Sequence, residues 1–225
     1  MSTPLRPSQV LAVGRNYAAH AKELGHEAPP SPLLFWKPPG ALVRDGVCRL
    51  PRWEEGPTRI DYEGEVVLVL GRDLGPGTPP LPADPWEAVA GIAAGVDVSD
   101  RDLQQREPQW VRAKGFAGSV GLGAPIPRPA DPTAIELSTW LDGKQVQSGR
   151  TDLLLFPFRD LLTWLQGWCP LRAGDVIFTG TPAGVGPLAP GSELRVEVRA
   201  GGATAEVTMR FEAGPLVPSF RRSVQ

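Results

Sequence analysis

Short apolar runs, separated by breaks rich in Gly and Pro, follow one another along the whole chain. The pattern predicts strands at residues 10–13, 33–36, 60–70, 91–97, 135–141, 146–148, 175–179, 194–198 and 205–211. Most of these runs are too short for helices and are bounded by turn-forming residues, as strands are. Asp142-Gly143 favours a tight hairpin turn between two of them. We therefore expect many short strands joined by turns.

Three segments have helical character instead. Residues 16–24 consist of good helix formers and end before a glycine, which suits a helix C-terminus. Residues 99–104 can open a helix with Ser99 as its N-cap. Residues 158–168 form the clearest amphipathic segment, with Trp168 on the same face as three leucines. The pattern as a whole predicts a mostly β domain of the α+β class with about three short helices.

Composition and charge exclude several classes of protein. The chain has 225 residues, of which 41% are hydrophobic and 21% charged, which is typical of globular domains. Because its formal net charge is -2 and it has no Lys/Arg run, nucleic acid is not an expected partner. No segment resembles a signal peptide or is long enough to span a bilayer, so we expect a cytoplasmic protein without membrane contact. Cys48 and Cys169 form no metal pattern and are expected to be free buried thiols, although a disulfide stays open.

The stretch IDYEGEVVLVL at residues 60–70 places three acids at the start of an apolar strand. Successive strand residues alternate faces, so Asp61, Glu63 and Glu65 would share one face and repel one another. Basic neighbours or a hard divalent cation would relieve that repulsion, and a solvated strand end is the alternative. Asp97, at the end of a second apolar run, would complete a three-carboxylate site if the two strands are neighbours, but taken alone it is more typical of a turn or helix-capping residue.

Other polar residues are weaker signals when each is taken alone. His20 and Glu23 lie three apart on a predicted helix, so Glu23 could orient His20 as a general base, or both could be surface residues. Lys37 and Lys114 could hold an anionic group or be solvated. The loop GTPAGVG at residues 180–186 allows close approach of a ligand, but it lacks the Lys-Ser/Thr end of a phosphate-binding loop, so nucleotide binding is not expected.

The order of these motifs is more specific than any one of them. The chain carries VGRNYAAH at 13–20, FWKP at 35–38, DYEGE at 61–65, DVSDRDLQ at 97–104, AKGF at 113–116 and GTPAGVG at 180–186. In this order the motifs closely resemble the fumarylacetoacetate hydrolase family, over roughly residues 10 to 211. The resemblance implies a mixed β-sandwich roll of the C-terminal domain type, assembled as a homodimer. It also implies one catalytic domain over residues 1–225, without the small N-terminal extension common in bacterial members.

The resemblance further implies a Mg²⁺ or Mn²⁺ cofactor and a role for each of ten residues. These are the metal ligands Glu63, Glu65 and Asp97; the catalytic residues His20, Glu23 and Lys114; and the substrate-binding residues Lys37, Arg101, Gln104 and Thr181. Asp61 has no implied role, and we expect it to pair with a basic group or to hydrate the site.

The implied reaction acts on a small oxo-acid. The favoured expectation is hydrolysis of a carbon–carbon bond in a 2,4-dioxo acid of the acylpyruvate or fumarylpyruvate type, with His20 and Glu23 activating water. Oxaloacetate decarboxylation, or isomerisation and decarboxylation of 5-carboxymethyl-2-hydroxymuconate in aromatic catabolism, is the alternative within the family. A non-catalytic β protein with a structural cation is the alternative outside enzymes.

Overall fold

Backbone pairing between strands dominates the fold, as the short apolar runs predict. The computed structural model describes residues 5–23, 25 and 27–219. Strands account for 42% of the residues and helices for 17%. The prediction of a mostly β fold of the α+β class with short helices is therefore confirmed.

The described residues form fifteen strands and four α-helices. In chain order the strands are β1 (Val10–Gly14), β2 (Leu33–Lys37), β3 (Val47–Trp53), β4 (Ile60–Tyr62), β5 (Gly64–Leu70), β6 (Val89–Asp97), β7 (Ser99–Asp100), β8 (Val120–Leu122), β9 (Ile126–Pro127), β10 (Glu136–Leu141), β11 (Lys144–Arg150), β12 (Val176–Phe178), β13 (Gly186–Pro187), β14 (Glu193–Ala200) and β15 (Ala203–Val217). The helices are α1 (Ala18–Glu23), α2 (Arg101–Arg106), α3 (Val111–Gly115) and α4 (Phe158–Gln166). Short 3-10 turns lie at Pro39–Ala41, Pro85–Ala88 and Thr151–Leu153.

These strands form three sheets. A seven-stranded sheet has the order β2-β1-β12-β5-β6-β8, with β9 also pairing with β6. A five-stranded sheet has the order β11-β10-β14-β15-β3, and a three-stranded sheet the order β13-β4-β7. Because β1 pairs with β12, and β15 with β3, in the parallel sense while the other pairs are antiparallel, the two larger sheets are mixed.

The main hydrophobic core lies between the seven-stranded and the five-stranded sheets. Val66 and Leu68 of β5 pack in one cluster with Val196 and Phe211 of the opposite sheet. The other face of β5 carries Val67, which belongs to a second cluster with residues of β1 and β12. β5 is therefore buried on both faces, as its continuous apolar run predicts.

The run at residues 60–70 is two strands, which corrects the prediction of one. It divides at Glu63 into β4, which pairs with β13 and β7, and β5, which lies in the seven-stranded sheet. The pairing register with the neighbouring strands β6 and β7 continues without a shift, since Gly64 pairs with Val96 and Asp61 with Ser99. The break is thus a bend shared by both paired segments, and it leaves Glu63 opposite Asp97.

The first predicted helix begins later than its sequence indicates. α1 starts at Ala18 and not at residue 16, because the buried Asn16 side chain is used elsewhere. Its amide donates to Thr179 O at 2.9 Å and its carbonyl accepts from Phe156 N at 2.7 Å. Leu24, the predicted last residue of this helix, lies outside the described residues.

Two further helix details differ from the prediction. Asp100, not Ser99, caps α2 by accepting from Leu103 N. α4 ends at Gln166, so Trp168 lies beyond it and is 46% exposed instead of sharing the buried face. Helix α3 and strands β3, β8, β9 and β13 have no counterpart among the predicted elements. Helix α3 has only five residues, and the alternation of β3 is interrupted by Pro51.

Two predictions about the whole chain can be compared with the structure. Cys48 and Cys169 are free and buried, as expected. Burial raises the pKa of the Cys48 thiol to about 12 and that of the Cys169 thiol to about 11, so both are unreactive thiols at neutral pH. Among the described residues, no helix is long and apolar enough to cross a membrane.

Substitution of Gly95 in β6 tests how tightly the seven-stranded sheet is packed next to Glu65 and Asp97. A Cβ at this position would lie 2.4 Å from Val67 Cγ2 and 2.6 Å from Phe178 Cε1. We expect Gly95→Ala to lower the free energy of unfolding by about 1–3 kcal/mol through overpacking. Urea denaturation measures this. Gly40→Ala is the control, since a Cβ there meets nothing within 4 Å, and equal stability of the two variants would contradict the packing described.

Candidate metal centre and active site

Three buried carboxylates converge where β5 and β6 meet the bend. Asp97 N donates to Glu63 O at 2.9 Å, so these two residues lie opposite each other. Glu65 follows Glu63 by two positions and returns to the same face. One oxygen from each of Glu63, Glu65 and Asp97 lies within 4.8 Å of the other two. Their residues are 5%, 1% and 0% exposed.

Basic side chains from other elements neutralise two of these carboxylates. Lys114 of α3 lies 3.0 Å from Glu63 Oε2 and 2.8 Å from Asp97 Oδ2. Lys37 Nζ, from the end of β2, lies 2.5 Å from Asp97 Oδ1. Arg101 of α2 approaches Glu63 Oε1 to 2.6 Å as an ion pair, although its angle is not that of a hydrogen bond. Burial alone would raise the pKa of Glu63, but Lys114 and Arg101 hold it well below its usual range.

Glu65 differs from the other two because, within the described part of the chain, no basic side chain pairs with it. Its Oε2 accepts from Gly180 N at 2.7 Å. Burial, together with the charges of Asp97 and Glu63, raises the pKa of Glu65 well above its usual value. A cation is therefore still needed to make all three carboxylates ionised.

The donor set fits a hard divalent cation. All three candidate ligands are carboxylates, with no Cys or His among them, and oxygen-only sets favour Mg²⁺, Mn²⁺ or Ca²⁺ over zinc. The unpaired Glu65 supplies the charge that such an ion would neutralise. Asp61, the remaining acid of the stretch, pairs with Arg59 at 2.8 Å and Arg101 at 3.0 Å, so the expectation that it pairs with a basic group is confirmed.

The backbone between the two glutamates is held by a ring of hydrogen bonds. Gln147 of β11 accepts from Gly64 N at 2.9 Å and donates to Thr181 Oγ1 at 2.7 Å. Thr181 Oγ1 in turn donates to Gly64 O at 2.8 Å. A Cβ on Gly64 would lie 2.1 Å from Thr139 Oγ1, so only glycine fits here. These contacts fix the position from which Glu63 and Glu65 project.

A histidine and a glutamate form a dyad at the same site. His20 of α1 is 3% exposed, and its Nδ1 lies 3.3 Å from Glu23 Oε2. Burial lowers the pKa of His20, and the nearby carboxylates of Glu63 and Glu23 oppose that effect. Because the neutral imidazole is the form that accepts a proton, this environment suits a general base at neutral pH.

Backbone N–H groups of the glycine loop at residues 180–186 contact both the carboxylate cluster and the His20–Glu23 dyad. Gly180 N donates to Glu65, and Gly184 N donates to Glu23 at 3.0 and 3.2 Å. A Cβ on Gly184 would lie 2.1 Å from Val146 O, and its φ is 101°. The glycines thus allow close contact with the protein itself, and the loop holds one carboxylate of the metal cluster and one of the dyad.

His20 of the dyad and Glu63 of the carboxylate cluster line one cavity of about 320 Å³. The polar side chains of its wall are Arg15, His20, Glu63, Arg101, Gln104, Gln105 and Lys114. Its apolar wall includes Phe35 and Trp110, whose rings meet edge to face with centroids 5.5 Å apart. A small polar molecule could therefore reach the dyad, Glu63 and Lys114 together.

Comparison with known proteins agrees with this geometry. The family described as Fumarylacetoacetate (FAA) hydrolase C-terminal matches residues 9–209. The chain belongs to this family. The resemblance in motif order is thereby confirmed, as is the expected fold type.

Several relatives of this fumarylacetoacetate hydrolase family protein have named activities, and three of them are described below. An oxaloacetate tautomerase of Escherichia coli (strain K12) is 35% identical over 199 residues, covering 84% of this chain and 87% of its own. A mitochondrial oxaloacetate tautomerase of Oryza sativa subsp. japonica is 32% identical over 223 residues, covering 95% and 92%. The crystal structure of 5-carboxymethyl-2-hydroxymuconate delta-isomerase from Mycobacterium smegmatis superposes with a TM-score of 0.79 at 35% identity, covering 93% and 78%.

Most of the ten residues that the family resemblance implied lie together. His20, Glu63, Arg101, Gln104 and Lys114 line the cavity, the candidate ligands Glu65 and Asp97 cluster with Glu63, and Glu23 contacts His20. Lys37 is 1% exposed and its ammonium is engaged by Asp97, while the hydroxyl of Thr181 is engaged by Gly64 and Gln147. Neither lines the cavity. Their assignment to substrate binding stays a prediction, and their contacts fit positioning of the metal ligands better.

Three residues of this site are not indicated by any pattern in the sequence. Ser99, taken there as a helix cap, donates to Glu63 Oε1 at 3.0 Å and accepts from Lys114. Gln147 comes from a strand of another sheet, far away in the chain. Arg15 lies inside the motif that carries His20 but was given no role. Motif order identifies groups that do chemistry, whereas Ser99 and Gln147 are identified only by their contacts and Arg15 only by its place at the cavity.

The ring around Gly64 predicts that Gln147 controls metal affinity. Gln147→Glu keeps an acceptor for Gly64 N but cannot donate to Thr181 or to Pro182 O, which Gln147 reaches at 2.9 Å. We expect Mn²⁺ affinity to fall roughly 10- to 100-fold, as for other residues that orient metal ligands. Titration followed by electron paramagnetic resonance measures it. Gln145→Glu is the matched control, being exposed on the same strand; an unchanged dissociation constant in folded Gln147→Glu would refute the role.

Proposed function

We propose that this protein is a divalent-metal-dependent enzyme that stabilises the enolate of a small 2-oxo acid and moves a proton on it, as a tautomerase or isomerase does. One observation carries the proposal: His20 of the His–Glu dyad, the ammonium of Lys114 and Glu63 of the buried three-carboxylate cluster line one cavity. The named relatives support it, since two are called oxaloacetate tautomerases and one an isomerase of a hydroxymuconate. These relatives are enzymes, which disfavours a purely structural cation.

The proposed cofactor is Mg²⁺ or Mn²⁺, held by Glu63, Glu65 and Asp97. When bound, such an ion would supply positive charge against the oxygens of an enolate and its neighbouring carboxylate. Lys114 adds a cation on the cavity side of the same cluster, 3.0 Å from Glu63 Oε2. Lys37 pairs with Asp97, and Lys114 and Arg101 hold Glu63 in its ionised form.

His20 is the proposed proton carrier. Glu23 occupies Nδ1, which leaves Nε2 of the neutral ring to act on the substrate. In the enol-to-keto direction the 2-hydroxyl loses its proton and the adjacent carbon gains one, so no atom is lost or added. Glu23 stabilises the imidazolium that exists between the two transfers. The walls formed by Phe35 and Trp110 limit the access of water to this exchange.

Hydrolysis of a 2,4-dioxo acid is the second candidate, and the same dyad is the observation that favours it. His20 could take the proton from a water molecule that attacks the distal carbonyl, and the metal-stabilised enolate would then be the leaving group. The sequence alone favours this reaction over isomerisation. The printed activities of the relatives shift the balance towards proton transfer, because none of the three is named a hydrolase. The expected homodimer and cytoplasmic location stay predictions.

Metal dependence and reaction type can be tested together. Purified protein treated with EDTA and then supplied with Mg²⁺ or Mn²⁺ is mixed with the enol form of oxaloacetate, and the loss of enol absorbance is followed. We expect acceleration only with the ion present, and proton NMR should show the keto form of oxaloacetate as the product. Acetic acid and pyruvate formed from acetylpyruvate would instead establish hydrolysis. Absence of turnover with either substrate in the metal-loaded protein would overturn the proposal.

The role of His20 is tested by His20→Ala. Because general acid–base catalysis contributes about 10²–10⁴-fold, we expect kcat to fall by that factor while Mn²⁺ affinity is unchanged. Lys22→Ala is the matched control, since Lys22 lies on the same short helix with an exposed side chain. Retention of wild-type kcat by His20→Ala would exclude the dyad from the reaction.

A further inference from the structure

Arg15 has an unusual position at the wall of the cavity. It follows the last residue of β1 and has a φ of 56°, in the left-handed region that long side chains rarely adopt. The chain nevertheless turns here with an arginine, directly after Gly14, and both residues line the cavity. A costly backbone conformation that places an arginine at the wall of a cavity points to a task for this residue there.

The other cations of the cavity wall are already neutralised. Lys114 is shared between Glu63 and Asp97, and Arg101 between Asp61 and Glu63. Arg15, by contrast, has no ion pair or side-chain hydrogen bond to any other residue in the ranges 5–23, 25 and 27–219. Burial lowers the pKa of Arg15, and no nearby carboxylate opposes this effect. Its positive charge is therefore uncompensated within the protein.

The neighbouring polar groups on the same wall are hydrogen-bond donors. Gln104 gives its carbonyl to Arg101 at 2.9 Å, so its amide NH₂ is left for another acceptor. Gln105 lies beside it on the wall. Glu63, the one acid of the wall, is held by Lys114 and Arg101. The part of the cavity lined by Arg15 and the glutamines is thus prepared for an acceptor with negative charge.

We propose that Arg15 binds a second carboxylate of the substrate, so that the site selects oxo-dicarboxylic acids over oxo-monocarboxylic acids. This inference rests on the proposed function for the other end of the substrate. There the first carboxylate and the 2-oxo group would lie at the cluster of Glu63, Glu65 and Asp97. Arginine suits the task because its planar fork pairs with a carboxylate through two parallel hydrogen bonds. A substrate with a methyl group at that end would leave the guanidinium covered and unpaired, which disfavours its binding.

The test compares ligands that differ only in the second carboxylate. Isothermal titration gives dissociation constants of the Mn²⁺-loaded protein for two matched pairs, 2-oxoglutarate with 2-oxopentanoate and oxaloacetate with 2-oxobutanoate. We expect the wild type to prefer a dicarboxylate by on the order of 10- to 100-fold. Arg15→Gln should abolish the preference by weakening only the dicarboxylates, and Arg15→Lys should restore part of it. Arg199→Gln removes an exposed arginine of β14 that pairs with Glu197, and it should keep the full preference.

The outcomes separate this inference from the proposed function. Equal affinity of the wild type for both members of each pair, or equal loss for both members in a folded Arg15→Gln, would overturn the role of Arg15. The second result would show that Arg15 only shapes the backbone. The comparison of affinities does not require turnover, so a dicarboxylate preference that depends on Arg15 supports the inference even in a protein that turns over neither oxaloacetate nor acetylpyruvate. Conversely, turnover without that preference leaves the proposed function intact and refutes the role of Arg15 in binding the second carboxylate.

Discussion

The pairing of Glu63 with Asp97 across the bend is the constraint on which the rest of the site depends. The register of two neighbouring strands continues through the bend without a slip, and Asp97 N donates to Glu63 O. Two acids are thereby forced to face each other in the interior, and strand periodicity adds Glu65 to them. Bringing carboxylates together away from water is costly unless cations accompany them. The surrounding elements can be understood as the sources of those cations.

The compensation comes from segments far apart in the chain. Lys37 is the last residue of the edge strand β2, and Arg101 and Lys114 come from two short helices. The N–H of Gly180 comes from the loop at residues 180–186. Such a cluster is a poor source of stability, since replacing buried ion pairs with apolar groups is often neutral or favourable. Its retention in the interior is explained better by function: the protein cations balance two of the acids, and Glu65 leaves the cluster one cation short.

The sequence predicts which residues carry the chemistry of this site better than it predicts the contacts that hold those residues in place. Alternation along IDYEGEVVLVL is enough to place Glu63 and Glu65 on one face, because period two is a local property of strands. The bend at Glu63 is not local, since it arises where the paired segments leave one sheet for another. Gln147 and the ring around Gly64 are further from any pattern, because a glutamine on an edge strand looks like a surface residue until the sheets pack. The same holds for Thr181, whose motif is visible in the sequence but whose hydroxyl points into the protein.

The choice among enolate reactions is therefore a property of the cavity wall more than of the metal ligands. A divalent cation held by the three carboxylates, together with the nearby ammonium, would stabilise an enolate whatever follows, so these groups are compatible with tautomerisation, isomerisation and hydrolysis alike. What distinguishes these reactions is whether His20 meets a substrate carbon or a water molecule, and what occupies the rest of the cavity. Those properties are set by α1, by the aromatic pair of Phe35 and Trp110, and by the turn at Arg15. A substrate anchored at both ends by charge would fill the space beside His20 and exclude water, and this favours proton transfer over hydrolysis.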